Sequence, residues 1–393
     1  MTGPRLDGQH VWVMAKGYAP DEGGMQSYAQ GVAEAYAAAG ANVTVFGQSA
    51  AGPRREQVGP AFLVDVGPGK SARVPLQLLK AMRHQQREIG KPLFVHGTTW
   101  RTSLLPLLLS LPYVTTFHGR EFMAGGRLAQ RIMLHIALRA EEIVAVSRYS
   151  AARLQERLGP ASPDPLVLWN GTSVTVMDSG EPAPTDTVAP VMIVSLCRLE
   201  ERKNIAACVR ACAKLKQEGF TFCYLIGGRG PEYELIRSLV AEHRLHGEVE
   251  VLGRVDSKRL TDLYRDADIF LHPQIAINDE RDFEGFGITI ADAMVHKAAV
   301  IAGKAGGPAD IIEHGVTGLL VDGEDHASLM AALRLMLSDA GNRKRMAENA
   351  WRHATTCFRW DRHVAGILDN LLAGRAGEPW AQALPSSAET LDG

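Results

Sequence analysis

The chain has 393 residues, of which 46% are hydrophobic and 22% charged, with a formal net charge of −2. These values are ordinary for a globular protein and leave enough apolar residues for two domains. The sequence has no run of eighteen apolar residues, and MTGPRLDGQHVWV lacks the order of a secretory signal. We therefore expect no membrane span and no secretion, and predict a cytoplasmic protein.

The charge is unevenly distributed along the chain. Residues 1–175 carry 18 Lys and Arg against 12 Asp and Glu, whereas the remainder carries 24 against 32. A basic first half predicts contact with something anionic, and the alternative is a chance division of solvated helix faces.

Short β-rich runs alternate with helical patterns in the first half. The helical stretch 25–40 is Ala-rich and ends at Gly40, a residue suited to a helix C-terminus. The alternation predicts βαβ units and a parallel sheet. The predicted strands are HVWVMAK (10–16), NVTVF (42–46), PLFVH (92–96), YVTTF (113–117) and EIVAVS (142–147).

A segment with three prolines, 176–190, interrupts this alternation and is predicted to be a linker. The pattern then restarts, with strands at 191–196, 222–227, 249–253, 268–273 and 298–302. The fold class is therefore α/β, with two domains of similar size at 1–175 and 191–357, each with a parallel sheet. Three helical segments follow residue 325, and the tail 374–393, rich in Gly, Ala, Pro and Ser, is predicted to be disordered.

The segment SLCRLEERKN (195–204) places two cations just after a strand. Arg198 and Lys203 follow the strand, and Asn204 opens a helix. Ligands bind at the carboxyl ends of parallel strands, and two cations beside a helix N-terminus suit a diphosphate. A solvated turn is the alternative interpretation.

The segment FEGFGITIADAM (283–294) combines glycines with two carboxylates. Gly285 and Gly287 allow backbone amides to approach a ligand, while Glu284 is expected to accept hydrogen bonds from sugar hydroxyls. Asp292 lies eight residues on, about two helical turns, which predicts that both carboxylates project from one face. A capped helix with one polar flank is the alternative.

Further glycine turns join strands to helices, and each is weak evidence by itself. They are GGRGPEYELI (227–236), the Gly306-Gly307 pair in 302–322, and DEGGMQSYAQ (21–30). His118 and Glu121 follow a strand end in TTFHGREF (115–122). A lone histidine is more often structural, but this position favours a cleft residue.

Taken in order, these motifs resemble the retaining glycosyltransferases of family 4, which have the GT-B fold. The resemblance rests on GGM, FHG, R-x4-K, E-G-F-G and GGPADIIEHGVTGLLV, and spans roughly residues 10 to 372. It implies two Rossmann-like domains that face a deep cleft. It also implies a last helix, 358–373, that crosses back to the first domain.

The resemblance assigns roles by position. Arg198 and Lys203 would bind the donor diphosphate, Glu284 the donor sugar, and Asp292 the ribose hydroxyls. His118 would lie beside the reacting carbon, so the implied catalytic residues are His118, Arg198, Lys203 and Glu284. The implied donor-binding set further contains Gly23, Gly24, Gly228, Gly285, Phe286, Gly287 and Asp292, with the amides of Phe286 and Gly287 on the distal phosphate.

Two positions depart from the family pattern. The family has E-x7-E, and the second acid here is Asp292, which is one methylene shorter, so its ribose contact would be longer or pass through water. GGPAD stands where GG-x-PE is usual, so Asp310 retains an acid and Pro308 is shifted.

The resemblance further implies transfer with retention of configuration and without a metal or other cofactor. In place of a metal, Arg198, Lys203 and helix-terminal amides would stabilise the charge that grows on the leaving diphosphate. Asp266-Ala267-Asp268 superficially resembles a metal clamp but more simply starts a strand. The reaction would move a hexose-type sugar from a UDP- or GDP-sugar to a hydroxyl of a lipid-linked, polysaccharide or small glycan acceptor.

We expect the acceptor to bind the first domain, near Glu121, Lys80 and Arg83. The basic segment 70–91 contains six Lys and Arg against Glu88 alone, interleaved with apolar residues. Such a helix can lie on an anionic membrane, which suggests peripheral contact at the inner face, and an ordinary solvated helix is the alternative.

Two rival functions remain open. One is a nucleotide-sugar epimerase of the same fold, and the other is a Rossmann oxidoreductase or nucleotide-binding module. Against the oxidoreductase, no complete G-x-G-x-x-G follows the first strand. No strongly basic domain or aromatic stacking motif supports nucleic-acid binding.

Overall fold

A computed structural model describes residues 6–18, 23–69, 73–174 and 190–374. The chain divides into two compact units. The first ends at Gly171 and takes up the chain again at Arg359, and the second is Thr172–Phe358. The predicted linker 176–190 lies outside the described residues except for Pro190, as does the predicted tail except for Gly374.

The first unit is built on a sheet of eight described strands, in the order β3-β4-β2-β1-β5-β6-β7-β8. Every neighbouring pair is parallel except β3 and β4, which are antiparallel. Its strands are β1 His10–Met14, β2 Asn42–Gly47, β3 Arg54–Val58, β4 Ala61–Asp65, β5 Phe94–Gly97, β6 Tyr113–Phe117, β7 Glu142–Ala145 and β8 Leu166–Val167. Its first helices are α1 Gly24–Ala38, α2 Arg73–Ile89, α3 Leu104–Leu108, α4 Arg120–Met123, α5 Arg127–Arg139 and α6 Arg148–Leu158.

The second unit has a fully parallel sheet of six described strands, in the order β11-β10-β9-β12-β13-β14. Its strands are β9 Val191–Leu196, β10 Phe222–Gly227, β11 Val249–Gly253, β12 Ile269–His272, β13 Ala299–Gly303 and β14 Leu319–Val321. Its helices are α7 Ile205–Gln217, α8 Tyr233–Glu242, α9 Ser257–Asp266, α10 Ile288–Val295, α11 Pro308–Ile311, α12 His326–Ser338 and α13 Ala340–Cys357.

Strands buried on both faces account for the successful predictions. All five residues of β6, YVTTF, are buried, as expected for a parallel strand covered on both faces. In contrast, β3 is RREQV, an edge strand with little burial, and its charged residues give no apolar pattern. The sequence interpretation missed β3, its partner β4 and the short strands β8 and β14.

The last helix, α14 Trp360–Gly374, belongs to the first unit and packs against α1. A Cβ added at Gly31 of α1 would lie 2.1 Å from the indole of Trp360, and one at Gly171 would lie 2.5 Å from it. The ring of Trp360 therefore occupies space that only glycine leaves open. This agrees with the implied return of the last helix to the first domain.

We expect Gly31→Ala to destabilise the protein. Alanine in a helix interior is normally favourable by about 1 kcal/mol over glycine. Here the new methyl group overlaps Trp360, and overpacking costs about 1–3 kcal/mol, so the net sign is reversed. Thermal and urea unfolding measure this change. Gly126→Ala is the matched control, because its added Cβ would meet no atom within 4 Å. If Gly31→Ala is as stable as the wild type or more stable, the packing of Trp360 against Gly31 is contradicted.

Candidate active site

The loops after β9, β10, β12 and β13 lie at one edge of the second sheet, because parallel strands share their carboxyl ends. Backbone hydrogen bonds fasten these loops together. Leu199 N–H donates to the Arg229 carbonyl at 3.0 Å, and Ile275 N–H to the Arg202 carbonyl at 2.9 Å. A fourth loop joins through the Gly307 N–H, which donates to the Glu284 carbonyl at 2.8 Å.

Glu284 lies in this group of loops, between two cations. Lys203 Nζ donates a short hydrogen bond to Glu284 Oε2, and Arg202 Nη1 donates to the same oxygen at 2.8 Å. His272, at the end of β12, has its Nε2 3.2 Å from Lys203 Nζ. The side chains of Lys203, Arg202 and Glu284 are only 9%, 16% and 15% exposed. The structure thus brings together two residues singled out in the sequence and adds Arg202 and His272.

The ionisation of this cluster follows from its charges. Burial opposes ionisation of Glu284, but Lys203 and Arg202 outweigh it and hold the pKa of the carboxyl well below its usual range. Burial, and then the Lys203 charge, lower the pKa of His272 to about 4. His272 is therefore neutral at pH 7, and its Nε2 accepts from Lys203, which can only donate.

One oxygen of Glu284 stays available. Its Oε1 accepts no hydrogen bond from the described residues. A carboxylate fixed through one oxygen can use the other to accept from a ligand hydroxyl.

Arg198 stands at the exposed end of the same network. Its side chain is 71% exposed, and its Nε lies 3.0 Å from Glu200 Oε1, while Glu200 Oε2 is 3.8 Å from Arg202 Nε. Arg202 also approaches Asp282 Oδ1 at 3.3 Å. Burial works against the charge on Arg202, but the neighbouring carboxylates raise its pKa. The R-x4-K pattern drew attention to Arg198 and away from Arg202, although both belong to RLEERK.

Asn204 opens α7 in a way the sequence did not predict. It has φ 59° and makes no side-chain cap bond to the helix. Its Nδ2 instead donates to the carbonyls of Pro273 and Gly323, at 3.1 and 2.7 Å. The residue after Lys203 therefore ties three loops together, which fixes the direction of the lysine.

The glycine turn before α10 leaves amides unoccupied. Gly287 has φ 93°, and no side chain caps the helix. The amides of Phe286 and Gly287 have no acceptor in the part of the chain that is described. A Cβ at Gly307 would lie 2.0 Å from the Gly285 carbonyl, so that position needs glycine for the backbones to meet. Free amides at a helix N-terminus are suited to binding an anion.

Gly228 makes a similar close approach after β10. Its φ is 140°, and an added Cβ would lie 1.8 Å from the Cys197 carbonyl. Glycine is therefore required where the β9 and β10 loops meet. A direct role of Gly228 in donor binding stays a prediction.

The expectation that Glu284 and Asp292 project from one helix face is wrong. Helix α10 begins at Ile288, so Glu284 belongs to the loop before it. Asp292 is 1% exposed, and both its oxygens are engaged by Ser173. Ser173 N–H donates to Oδ1 at 2.7 Å, and Ser173 Oγ donates a short bond to Oδ2. Its ribose contact stays a prediction, although these bonds already occupy the carboxylate.

In the first unit, the backbone around His118 is held by Glu121. The amides of His118 and Gly119 donate to the two oxygens of Glu121, at 2.7 and 2.9 Å. His118 Nε2–H donates to the Thr98 carbonyl at 2.9 Å, which leaves Nδ1 as the acceptor nitrogen. Burial lowers the pKa of His118, so the ring is neutral. Glu121 therefore shapes the loop, and its predicted acceptor contact is untested.

The other first-domain residues named from the sequence lie at the start of α1 and on α2. Gly23 precedes α1 and Gly24 is its first residue. Lys80 and Arg83 are exposed on α2, whereas Leu78 and Met82 on the same helix are buried. Lys70 lies outside the described residues.

A cavity of about 570 Å³ opens at the carboxyl ends of β1, β2 and β4. Its wall is fixed by buried Asp65, which accepts from Ser49 N–H at 3.0 Å and Gly67 N–H at 2.8 Å. Gln48 Oε1 is buried in this wall without a hydrogen-bond partner. The cavity is lined by Lys16, Gly17, Met25, Gln26, Gln48, Ser49, Ala50, Pro68 and Gly69. Its volume and its amide groups are suited to a sugar-sized ligand.

Two family models match the chain in succession. Glycosyltransferase Family 4 matches residues 22–175, and Glycosyl transferases group 1 matches residues 186–353. The chain belongs to the family-4 glycosyltransferases. The second match contains Arg198, Arg202, Lys203 and Glu284, so the ion cluster lies within the group 1 region.

Individual relatives of this family-4 glycosyltransferase are distant. It is 30% identical over 222 residues to the putative colanic acid biosynthesis glycosyltransferase WcaL of Escherichia coli, which covers 56% of this chain and 53% of WcaL. It is 25% identical over 301 residues to a GDP-mannose-dependent alpha-(1-6)-phosphatidylinositol monomannoside mannosyltransferase of Mycobacterium tuberculosis, covering 70% and 75%. The chain spans only about a third to a half of the first curated relatives that it matches.

Among solved structures, Anabaena HepE in complex with UDP and glucose aligns with a TM-score of 0.72 and 16% identity. The alignment covers 93% of this chain and all of HepE. The similarity shows the fold, which is GT-B with two parallel-sheet α/β domains, as the sequence motifs implied. The added antiparallel β3 at one sheet edge does not alter this class.

The described residues offer neither a metal cluster nor a membrane-spanning helix. No group of three or more His, Cys, Asp or Glu there is arranged to hold a metal ion. Asp266 pairs with Arg265 at 3.0 Å, and Asp268 Oδ2 accepts from Met192 N–H at 2.9 Å. None of the described helices has the length and apolar character needed to cross a bilayer.

The burial of Asp292 predicts a pH-dependent stability. Burial raises its pKa to about 7 against the hydrogen bonds of Ser173, so the folded state holds the proton more tightly than the unfolded state. Its contribution therefore falls as pH rises from about 4 to about 7, and is constant above. Asp292→Asn carries no charge, and it keeps both Ser173 contacts if its oxygen accepts from Ser173 N–H and its NH2 donates to Ser173 Oγ. Its stability relative to the wild type should therefore rise by up to a few kcal/mol across this window.

Urea denaturation between pH 5 and pH 8 measures this difference. Asp266→Asn, on an exposed side chain, is the control and should show no such trend. If the difference in unfolding free energy between Asp292→Asn and the wild type is the same at pH 5 and pH 8, the raised pKa of Asp292 is contradicted.

Proposed function

We propose that this protein is a retaining, metal-independent glycosyltransferase. It moves a hexose-type sugar from a UDP- or GDP-sugar to a hydroxyl of a lipid-linked, polysaccharide or small glycan acceptor. The observation that carries the proposal is the buried cluster of Lys203, Arg202 and Glu284 beside free amides at the strand ends. Family membership supports the class of reaction.

The donor diphosphate is bound by side-chain cations and by backbone amides. Lys203 Nζ has a third proton beyond those used for Glu284 and His272, and Arg198 is exposed enough to turn toward a ligand. The amides of Phe286 and Gly287 add dipoles that need no reorganisation. As the bond from the anomeric carbon to the diphosphate oxygen breaks, these groups stabilise the growing negative charge.

Glu284 holds the sugar and does not act as the base. Its pKa lies well below its usual range because of Lys203 and Arg202, and an efficient base needs a pKa near the working pH. Its free Oε1 accepts instead from a sugar hydroxyl. The acceptor oxygen bonds to the anomeric carbon on the face that the diphosphate leaves, and its proton passes to the departing phosphate oxygen. That route gives retention without a protein nucleophile.

Metal independence is supported by the engagement of the Asp-x-Asp pair. Arg265 holds Asp266, and a backbone amide occupies Asp268. The cations of the cluster supply the positive charge that a divalent ion would otherwise bring.

The acceptor binds the first domain, in the cavity beside Lys16, Gln26 and Gln48. The amides suit hydroxyl groups, and the unpartnered Gln48 Oε1 can accept one. HepE was solved with UDP and glucose, and the mycobacterial relative is named for a phosphatidylinositol mannoside, which supports both the donor class and a lipid-linked acceptor.

Peripheral membrane contact would use the outward face of α2, where Lys80 and Arg83 flank Leu76, which is 59% exposed. The burial of Leu78 and Met82 makes this face more basic than apolar. Failure to float with anionic vesicles at low salt would remove this part of the proposal.

Turnover with a panel of nucleotide sugars and candidate acceptors tests the function. We expect a glycoside product, seen by mass spectrometry, whose anomeric configuration by proton NMR matches that of the donor, with a rate unchanged by EDTA. An inverted product, or loss of activity with EDTA and recovery with a divalent metal, would overturn retention or metal independence. Donor conversion without any glycoside product would favour an epimerase.

Variants of Lys203 test the diphosphate assignment. Lys203→Ala should lower kcat about 100-fold or more, because one group that stabilises the leaving charge is lost. It also leaves Glu284 with only Arg202 in a buried site, which destabilises the fold. Lys203→Arg keeps the charge but replaces a point cation with a planar fork, and should fold while losing most activity.

Lys214→Ala, on the exposed side of α7, is the matched control and should behave as the wild type. Circular dichroism checks folding in each case. Full turnover by folded Lys203→Ala would rule out the role given to this lysine.

A further inference from the structure

Tyr28 of α1 lies at the centre of a buried aromatic group in the first unit. Its ring is T-shaped to those of His118, His363 and His96, with centroids 4.5, 5.4 and 5.9 Å away. Trp360 packs against it as well, at 5.4 Å. Tyr28 is fully buried, so its hydroxyl must find hydrogen-bond partners inside the protein.

The hydroxyl belongs to a chain of five buried polar side chains. Tyr36 Oη is 2.9 Å from His96 Nδ1, and His96 Nε2 is 2.9 Å from Thr116 Oγ1. Thr116 Oγ1 is 2.8 Å from Tyr28 Oη, which is 2.9 Å from His363 Nε2. His363 Nδ1 then lies 3.0 Å from the Trp169 carbonyl.

The carbonyl at one end fixes the direction of every bond. It can only accept, so His363 Nδ1 carries the proton, and Nε2 of this neutral ring accepts from Tyr28. Tyr28 then accepts from Thr116, and Thr116 accepts from His96 Nε2–H. His96 Nδ1 is left to accept from Tyr36. Every proton in the chain then has an acceptor. Tyr28 Oη also lies 3.3 Å from His96 Nε2, but that nitrogen carries a proton in this order and can only donate, so the Tyr28 hydroxyl still donates to His363.

This order of donors and acceptors requires His96 and His363 to be neutral, and their pKa values agree. Burial lowers the pKa of His363 to about 4 and lowers that of His96 well below its usual value. The chain links a strand of the first sheet to α14, since Thr116 lies on β6 and His363 on the returning helix. It therefore holds the Tyr28 ring in one place.

The imidazole of His118 has two described supports. One is the hydrogen bond from its Nε2–H to the Thr98 carbonyl, and the other is the ring of Tyr28. Glu121 and Ser150 bind only its backbone. A single hydrogen bond allows the ring to rock about it, and the edge-to-face contact removes that freedom.

We propose that Tyr28 is a positioning residue for His118. Its ring orients the imidazole, and its hydroxyl anchors that ring to the returning helix through His363. The consequence for turnover rests on the proposed function, together with the position beside the reacting carbon that the family resemblance implies for His118. Its consequence for the His118 ring does not depend on any activity.

Two substitutions distinguish the contribution of the Tyr28 ring from that of its hydroxyl. Tyr28→Phe keeps the ring but leaves His363 Nε2 without its donor, a loss of stability of about 1–3 kcal/mol. Tyr28→Leu removes both. We expect Tyr28→Leu to lower kcat about tenfold or more below that of Tyr28→Phe, while UDP and GDP, used as probes of the donor site, bind as in the wild type. If Tyr28→Leu does not fold, Tyr28→Met takes its place, since it fills more of the ring's volume.

Tyr36→Phe is the matched control. It removes a hydroxyl at the other end of the same chain and does not touch His118, so stability should fall while kcat is unchanged. The effect of Tyr28→Leu on kcat should also vanish in a His118→Ala background. Equal kcat for Tyr28→Phe and Tyr28→Leu, or a full additional loss in that background, would overturn the proposal.

Nitrogen-15 NMR of the histidine rings tests positioning without any substrate. The wild type should show His118 as the Nε2–H tautomer, with that signal retained in Tyr28→Phe and averaged toward both tautomers in Tyr28→Leu. An unchanged His118 signal in Tyr28→Leu would refute the positioning role. Absence of turnover by the wild type with every donor, alongside the expected NMR change, would refute the proposed function alone.

Discussion

A carboxylate at the edge of a parallel sheet, largely withdrawn from water, is the constraint on which the second unit depends. Burying Glu284 alone would cost several kcal/mol, and its charge is retained only because Lys203 and Arg202 share one of its oxygens. The two cations come from one turn and the acid from another, so the ion cluster fixes the relation between loops distant in sequence. Because both cations bind Glu284 Oε2, its Oε1 is left without a hydrogen bond from the described residues.

The loops that carry these groups pack backbone against backbone. The carbonyls of Cys197 and Gly285 lie within 2.0 Å of where a Cβ would stand at Gly228 and Gly307. Side chains there would push the loops apart by more than the ion pairs tolerate. Glycine at these positions therefore keeps the loops close enough for the ion pairs to form. The absence of a side chain also lets backbone amides approach a ligand closely.

The sequence predicted the alternating elements because buried parallel strands are continuous apolar runs. Strands β9, β10 and β11 have the predicted limits, whereas β3 was missed because RREQV is an exposed edge. The sequence interpretation placed Lys203 and Glu284 at one site but did not predict that they pair. Arg202 was not singled out, since three cations and two acids crowd the short segment 198–203 and only the fold selects among them.

Errors of prediction arose where local geometry overrode spacing. Eight residues separate Glu284 from Asp292, yet Gly287 at φ 93° turns the chain before the helix begins. Asp292 then meets Ser173, which lies 119 positions away. Likewise Tyr28 and His363 are separated by 335 positions, and no periodic pattern could have linked them.

The two units satisfy their buried polar groups in opposite ways. In the second unit the groups are charged, because Lys203 and Arg202 keep the largely buried Glu284 ionised. In the first unit, around Tyr28, the groups are neutral and ordered by a single carbonyl acceptor. A proton added to His96 or His363 would be a buried charge, and none of the five hydrogen-bonded side chains is a carboxylate that could offset it. Their pKa values are therefore lowered. The neutral hydrogen-bonded side chains around Tyr28 therefore keep the same donors and acceptors throughout the physiological pH range. Histidines that gained a proton there would lose their acceptor nitrogen and change this order.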